Sequence, residues 1–392
     1  MTEYRVTRAE FLRGLAATVA LAPLQGAWAA RAASQALAKA PEQTSWQLGP
    51  FARVPFEPVI KPDPKAVFDC PMRKRPVAWM AAHAFNPASV VRDGKMVVLF
   101  RAEDDPQQKL IGAHTSRLGY ASSDDGEHFT LRPAPVFYPA EDAQKHAEWE
   151  GGCEDPRLCE GPDGTYYLTY TQWNHEEVRL GIATSRDLIH WEKHGSAFTG
   201  SPYAELATKS AAIIQKIDGG RMKAAMIDGK YWMVFGEGRI HMATSTDLVH
   251  WVPVERSPGE MLVLMAPRPF LFDSNLAEVG PPPLVTDEGI VMLYNGKNSE
   301  SEADRARNIG PGAYSGGQAL LDLRDPTKLL DRSVTPFIKP ELPWEKSGQY
   351  KAGTTFIEGL SFFKGKLFLY YGTADTYVGL AVCNAPNGIN IN

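Results

Sequence analysis

Polar and charged residues stand beside prolines or strand starts at intervals along the 392-residue chain. Asn86-Pro87 forms the first group, Glu154-Asp155-Pro156-Arg157 the second and Lys209-Ser210 the third. Glu278-Val279-Gly280-Pro281-Pro282 forms the fourth, and Thr354-Thr355 takes the fifth place. Proline is tolerated there because the start of a strand need not donate to a ladder. Asn, Asp, Glu, Arg, Lys and Thr side chains converging on one axis suit a small polyhydroxylated ligand with two carboxylates working in opposition. Arg101-Ala102-Glu103-Asp104-Asp105 adds charge at what reads as the end of a buried strand, where it must be paired, although the stretch also reads as a surface loop. Trp173, Tyr203, Tyr371 and Tyr377 offer rings that stack on a sugar or fill a core.

The elements that position these groups repeat. Asp93-Gly94-Lys95, Asp163-Gly164, Asp228-Gly229-Lys230, Asp287-Glu288-Gly289 and Lys364-Gly365-Lys366 each precede a strand-like run. Their glycines are 70, 65, 60 and 76 residues apart. Each reads as a hairpin turn between strands. A second strand then ends in a Ser/Asp turn: Leu118–Asp124 running to Phe129, Leu180–Asp187 to Trp191, and Ile240–Asp247 to Trp251. The fourth and fifth copies, Gly317–Asp322 and Gly379–Cys383, are weaker. Three to four short strands per ~65 residues, five times over, predict an all-β fold, a five-bladed β-propeller. A β-sandwich is the competing architecture. With no linker inside it, residues 50–392 read as one domain, and 30–49 as an N-terminal extension.

Composition excludes several classes. A formal charge of −5 and 22% charged residues leave no polybasic field for nucleic acid or an anionic membrane surface. Cys70, Cys153, Cys159 and Cys383 lack zinc-like spacing and read as buried thiols. The nine histidines include no HExxH and no close pair, and His190 and His250, each before a Trp, read as parts of the repeat. With no P-loop, GxGxxG or GxSxG, neither a metal nor a cofactor is expected. Residues 1–29 carry Arg5, Arg8 and Arg13, an apolar run from Gly14 and Ala27-Trp28-Ala29, the order of a bacterial export signal. Thr7-Arg8-Ala9-Glu10-Phe11-Leu12-Arg13 approaches a twin-arginine signal, with Ala9 where the second Arg belongs. A periplasmic or secreted protein, free of the membrane after cleavage, is expected.

Between residues 80 and 383 the chain resembles family 130 of the glycoside hydrolases, the β-mannoside phosphorylases and β-mannosidases. The matching segments are Arg101-Ala102-Glu103-Asp104, Gly152–Arg157, Asp163–Tyr167, Ala183–Trp191, Ala319–Pro326 and Tyr370–Thr376. The resemblance implies a five-bladed propeller, inversion at the anomeric carbon, a β-manno-oligosaccharide substrate and Asp155 as general acid. That acid is expected to reach the glycosidic oxygen through a mannose hydroxyl, with its pKa raised by burial and neighbouring acids. Asp104 and Asp375 match positions that hold the mannose. Asn86, Arg101, Arg157, Lys209, Asn295 and Tyr371 complete the expected substrate-binding set. Asp155 also reads as a strand-end carboxylate paired to Arg157.

Departures from the family pattern bear on the nucleophile. Phosphorylases of the family carry a His-Arg-Pro-like segment past the third hairpin strand and Tyr-His-Gly after the fourth. This chain has Phe235-Gly236-Glu237-Gly238 and Tyr294-Asn295-Gly296. Losing Arg and His removes charge-assisted donors to a phosphate dianion. A like charge ~4 Å from it costs about 4 kcal/mol at an effective dielectric near 20, roughly three powers of ten in affinity. Glu237 and Glu278 are therefore the candidates to activate water, with Glu237 slightly favoured, although it also reads as part of a solvated loop. Lys209 and Arg239 keep phosphorolysis open, and a non-catalytic glycan-binding propeller is the third reading.

Overall fold

The computed structural model describes residues 44–385 apart from 106 and 109. The expected export segment lies outside these residues. The described chain is nearly all β, with one short helix, Lys145–Glu148, and one 3-10 turn, Pro343–Glu345. No helix among the described residues is long and apolar enough to cross a membrane.

Most of its strands pair into five antiparallel ladders, beside two small two-stranded pairs, Val67–Cys70 with Arg75–Ala78 and Glu255–Ser257 with Glu260–Met261. The first contains His83–Arg92, Lys95–Glu103, Ser116–Ser123 and Thr130–Leu131. The second contains Gly152–Glu160, Tyr166–Trp173, Val178–Ser185 and Glu192–Ser196. Ala211–Ile213, Lys230–Phe235, His241–Ser245 and Val252–Pro253 make the third. Leu276–Val279, Gly289–Lys297, Tyr314–Leu321 and Leu329–Arg332 make the fourth. Phe356–Phe363, Lys366–Thr373 and Tyr377–Asn384 make the fifth, completed from the other end of the chain by Ala52–Arg53. Chain before residue 50 packs on these ladders: Trp46 and Leu48 are buried, and Leu48 exchanges two backbone hydrogen bonds with the Gln318 amide.

Local chemistry explains the turns. Asp93-Gly94, Asp228-Gly229 and Lys364-Gly365 all have positive φ at both residues, the geometry whose twist suits a two-residue hairpin. The Ser/Asp turns are built alike three times. In the second, Ser185 Oγ accepts from the Asp187 and Leu188 amides, while Asp187 Oδ1 accepts from Ile189 and His190. Asp187 Oδ2 meets His190 Nδ1 at 2.7 Å, as Asp247 meets His250, so both histidines belong to the repeat.

The hairpin strands are almost continuously apolar because both faces are covered. Met96, Val98 and Phe100 pack against the fifth ladder, while Val97 and Leu99, pointing the other way, pack against the second. Leu367, Leu369 and Tyr371 face the fourth ladder, and Phe368 and Tyr370 the first. Five buried clusters arise in this way, one between each consecutive pair and one between the fifth and the first. Period-two alternation thus sorts side chains between two neighbours rather than between core and water.

Two ladders depart from the expected repeat. A hairpin, Gln215–Asp218 with Arg221–Ala224, interrupts the third, so only Met226–Ile227 precedes its turn. Gly280 and Pro281–Pro283 split the fourth between Leu276–Val279 and Leu284–Thr286. First strands of different ladders lie against one another, and Asn295 pins two of them. Its Nδ2 donates to Ile357 O at 3.0 Å and Val279 O at 3.4 Å, and its Oδ1 accepts from Ile357 N at 2.8 Å. Asn295 is fully buried and its amide is spent on backbone, which corrects its expected role as a sugar ligand. Asn295→Ala orphans a buried N–H and is expected to cost about 2–4 kcal/mol of stability. Denaturant unfolding measures the loss, and KM for substrate should stay within a few-fold of wild type.

Candidate active site

Bulges aim the central side chains. Ladder register slips between Phe85 and Pro87, between Glu154 and Arg157, and between Ile357 and Gly359. Asn86, Asp155 and Glu358 stand at these slips, and Asn86 and Asp155 have φ of 45° and 46°. Ser210, with φ 57°, holds the corresponding place before the third ladder. A bulge turns one side chain out of the alternation, here towards the shared centre. The glycine at 372 is required by this arrangement: a Cβ there would lie 2.1 Å from Asn86 Oδ1.

Asp155 Oδ1 accepts from Asn86 Nδ2 at 2.8 Å and Arg101 Nη1 at 3.0 Å. Arg101 Nη2 also donates to Glu103 at 2.6 Å and Glu154 at 2.9 Å. Lys209 Nζ stands 3.6 Å from Asp155 Oδ2, 3.6 Å from Glu237 Oε1 and 3.4 Å from Glu278 Oε1. Ser210 Oγ donates to Glu278 Oε1 at 2.6 Å, and the other Glu278 oxygen has no hydrogen-bond partner. Gly236 and Gly238 fix the Glu237 loop by backbone bonds with Ser210, Val279 and Ala277, so Glu237 is held at the cluster rather than in a solvated loop. Arg157 donates to Val279 O at 2.6 Å and Gly280 O at 3.2 Å, carbonyls exposed by the proline break in the fourth ladder. Its Nη1 lies 2.8 Å from Glu358 Oε1, close but misaligned, and neither Glu358 oxygen accepts a hydrogen bond.

Seven carboxyls (Glu103, Glu154, Asp155, Glu237, Glu278, Glu358 and Asp375) thus meet three cations, Arg101, Arg157 and Lys209. Burial raises the pKa of Asp155, but Arg101, Lys209, Arg157 and the Asn86 amide outweigh it and hold the group well below the usual carboxylate range. This corrects the expected elevation. Three other acids, for which burial outweighs the nearby cations, move the other way. Glu278 is pushed up to about 7 by burial and then by Glu237, against Lys209. Asp375 also rises to about 7, through burial and then Glu103 and Asp155, against Arg101. Glu358 rises well above its ordinary value, mainly through burial.

The remaining expected residues divide. Asp104 is drawn away from the cluster: its carboxylate accepts from Arg117 at 2.9 Å. Tyr371 is a second correction, because its ring is buried between ladders and its hydroxyl donates to Glu345 at 2.9 Å. Among the other aromatic candidates, Trp173 is buried with Nε1 bonded to Gly112 O, and Tyr203 donates to Glu255. Thr354 and Thr355 are buried, and Thr355 bonds Tyr314 O. The true fifth-ladder contribution, Glu358, is a lone acid inside the apolar run Phe356–Phe363, in the repeat position of Asn86 and Asp155. All four cysteines are buried and unpaired. His83 and His114, distant in sequence, stand ring to ring at 5.3 Å.

Raised acids penalise folding at high pH. The stability contributed by a carboxyl whose native pKa exceeds its unfolded value is present below the unfolded value and lost as pH rises through the native one. For Glu278 and Asp375 that window runs from about 4 to about 7. Glu278→Gln and Asp375→Asn should therefore melt several degrees above wild type at pH 8 and close to it at pH 4, as read by calorimetry.

The family model for β-1,4-mannooligosaccharide phosphorylases matches residues 51–391. A 1,2-β-oligomannan phosphorylase of Thermoanaerobacter sp. (strain X514) is 30% identical over 318 residues, covering 79% of this chain and 93% of the relative. A glycosyl hydrolase structure from Bacteroides ovatus is 44% identical, covering 89% of this chain and 98% of its own, with a TM-score of 0.85. A structure from work on hydrolases of the same family that target β-1,2 mannosidic linkages in Candida mannan is 46% identical, covering 90% and 99%, with a TM-score of 0.86. The chain belongs to glycoside hydrolase family 130.

Proposed function

We propose that the protein is an exported, inverting β-mannosidase that releases mannose from the non-reducing end of short β-mannosides, with β-1,2 linkages the first choice. In this reading the five ladders are the blades of a five-bladed propeller, and the bulged residues of their first strands surround the sugar. One observation carries it: Lys209 Nζ lies within 3.6 Å of Asp155 and Glu237 and 3.4 Å from Glu278, so the acid and both candidate bases meet at one cation. An inverting glycosidase needs an acid at the departing oxygen and a carboxylate that deprotonates water across the ring. Glu237 keeps some exposure, whereas Glu278 is fully buried. Glu237 therefore takes the proton from water, and Glu278 shares Lys209 and sets the charge of the pair. Asn86, Arg101 and Asp375 surround the −1 sugar, and Arg157, buried and bonded to the Val279 and Gly280 carbonyls, supports them from beneath.

Asp155 is held ionised by its cations, so it must gain a proton before it can act as an acid. A pyranose inserted between Asp155 and Lys209 weakens that attraction and removes water, and both changes raise the acid's pKa. Two acidic side chains beside Lys209 also disfavour a phosphate dianion. The identities support hydrolysis too, being higher to the glycosidase structures than to the curated phosphorylase. That phosphorylase relative is also what favours the second reading, phosphorolysis to mannose 1-phosphate.

β-1,2-Mannobiose should yield mannose at the same rate with or without 10 mM phosphate, about the order of a working concentration. Anomeric NMR should show the α-anomer first, and mannose 1-phosphate as product would overturn hydrolysis. Asp155→Asn should lower kcat by several powers of ten with KM nearly unchanged, and Glu237→Gln should slow hydrolysis and be rescued by azide. Calorimetry of a non-hydrolysed mannoside in buffers of different ionisation enthalpy should report about one proton taken up on binding. Asp155→Asn should abolish that uptake.

A further inference from the structure

Beside the sugar site, His83, Glu103 and His114 bring one ligand atom each to within 4.8 Å of one another. Ladder register explains the meeting. His83 opens the first strand of the first ladder and is directly opposite Glu103, the last residue of the next strand. His114 stands two residues before the third strand, at the end of the connection that follows Glu103. Glu103 and His114 are buried, and His83 is half-buried.

Hydrogen bonding fixes how the rings present themselves. His114 Nδ1 lies 2.9 Å from the Asp104 carbonyl, which can only accept, so Nδ1 carries the proton and Nε2 presents a lone pair. That buried Nε2 has no hydrogen-bond partner and lies 3.8 Å from Glu103 Oε2, too far for a hydrogen bond. The Thr376 hydroxyl donates to Ala374 O, so it accepts from His83 Nδ1 at 3.2 Å and leaves the His83 Nε2 basic. An imidazole whose other nitrogen donates to a backbone carbonyl is the arrangement of a metal ligand with its tautomer set. Arg101 occupies Glu103 Oε1, so the carboxylate stays anionic with Oε2 turned to the histidines. Gln349 Nε2 donates to that same Oε2 at 3.2 Å, while Gln349 Oε1 is buried without a partner. A half-turn of this amide replaces the donor with an oxygen ligand.

We propose that His83, Glu103 and His114 bind a divalent d-block cation, with zinc as the representative ion. Two imidazoles and one carboxylate select this class over calcium or magnesium, which prefer all-oxygen shells. The ion fastens the end of the 104–115 connection to the first hairpin and holds Glu103 against Arg101. Its role is to position the sugar-site guanidinium, and it takes no part in bond cleavage. Sharing Glu103 with Arg101 limits the affinity.

The test uses the full, tag-free chain stripped with EDTA and titrated with zinc chloride. Elemental analysis after desalting should find about one zinc per chain, and the melting temperature should rise by several degrees. Cobalt(II) chloride should give visible absorption bands of a nitrogen-ligated ion. His114→Gln and, at the more open position, His83→Gln should each weaken zinc uptake at least tenfold and remove the cobalt bands. Metal-free melting of His83→Gln should match that of wild type. A wild-type chain that takes up no zinc at tens of micromolar, about the limit of a useful site, overturns the proposal. Uptake undiminished in both variants overturns it as well.

Discussion

Charge is the constraint on which the centre of this protein depends. Three cations lie among seven carboxyls with little water to share the imbalance. The guanidinium of Arg101 is bound on one side to Asp155 and on the other to Glu103 and Glu154, and it fixes which acids stay ionised. Glu278 and Asp375, for which burial outweighs the attraction of Lys209 and Arg101, lower their energy by taking up protons. One crowded cluster therefore contains an anionic Asp155 and acids that titrate near neutrality. Acid–base chemistry on a glycoside uses such a division of labour, and here it arises from the balance between burial and the cations at each acid.

The scaffold tolerates this crowding because its hydrophobic stabilisation lies elsewhere. Five apolar clusters between ladders surround a polar centre. Bulges at Asn86, Asp155 and Glu358 let chain that is apolar on both faces present single polar groups inwards. The proline break in the fourth ladder does more than interrupt pairing. It leaves the Val279 and Gly280 carbonyls to receive Arg157, which ties the second ladder to the fourth beneath the acids.

Much of this was legible in the sequence, and the omissions have physical reasons. Turn residues and their spacing predicted the five hairpins, since a two-residue turn depends on local chemistry alone. Asp155, Lys209 and Glu278 were recognisable by type and place in the repeat and Glu237 by its departure from the family pattern, and the four meet. Asn295 and Tyr371 were misread because a polar residue near a strand end looks the same whether it faces a ligand or bonds the neighbouring backbone. The depressed pKa of Asp155 was hidden for a similar reason: its sign depends on cations 54 residues before and after it in sequence, Arg101 and Lys209. Glu358 did leave a trace, an acid inside an apolar strand, which the more conspicuous Thr354-Thr355 obscured. His83 and His114 could not be paired from spacing, because ladder register brings them together.

Ala52–Arg53 lies along the outer side of Tyr377–Asn384, so the last ladder takes one strand from the beginning of the chain and three from its end. During synthesis this partner is made first and must wait about 320 residues for the strand it covers, tens of seconds at ordinary ribosome speeds. Until then the earlier ladders expose an uncovered apolar face. The last ladder can therefore close only once Tyr377–Asn384 has been made, and loss of either strand uncovers the same seam.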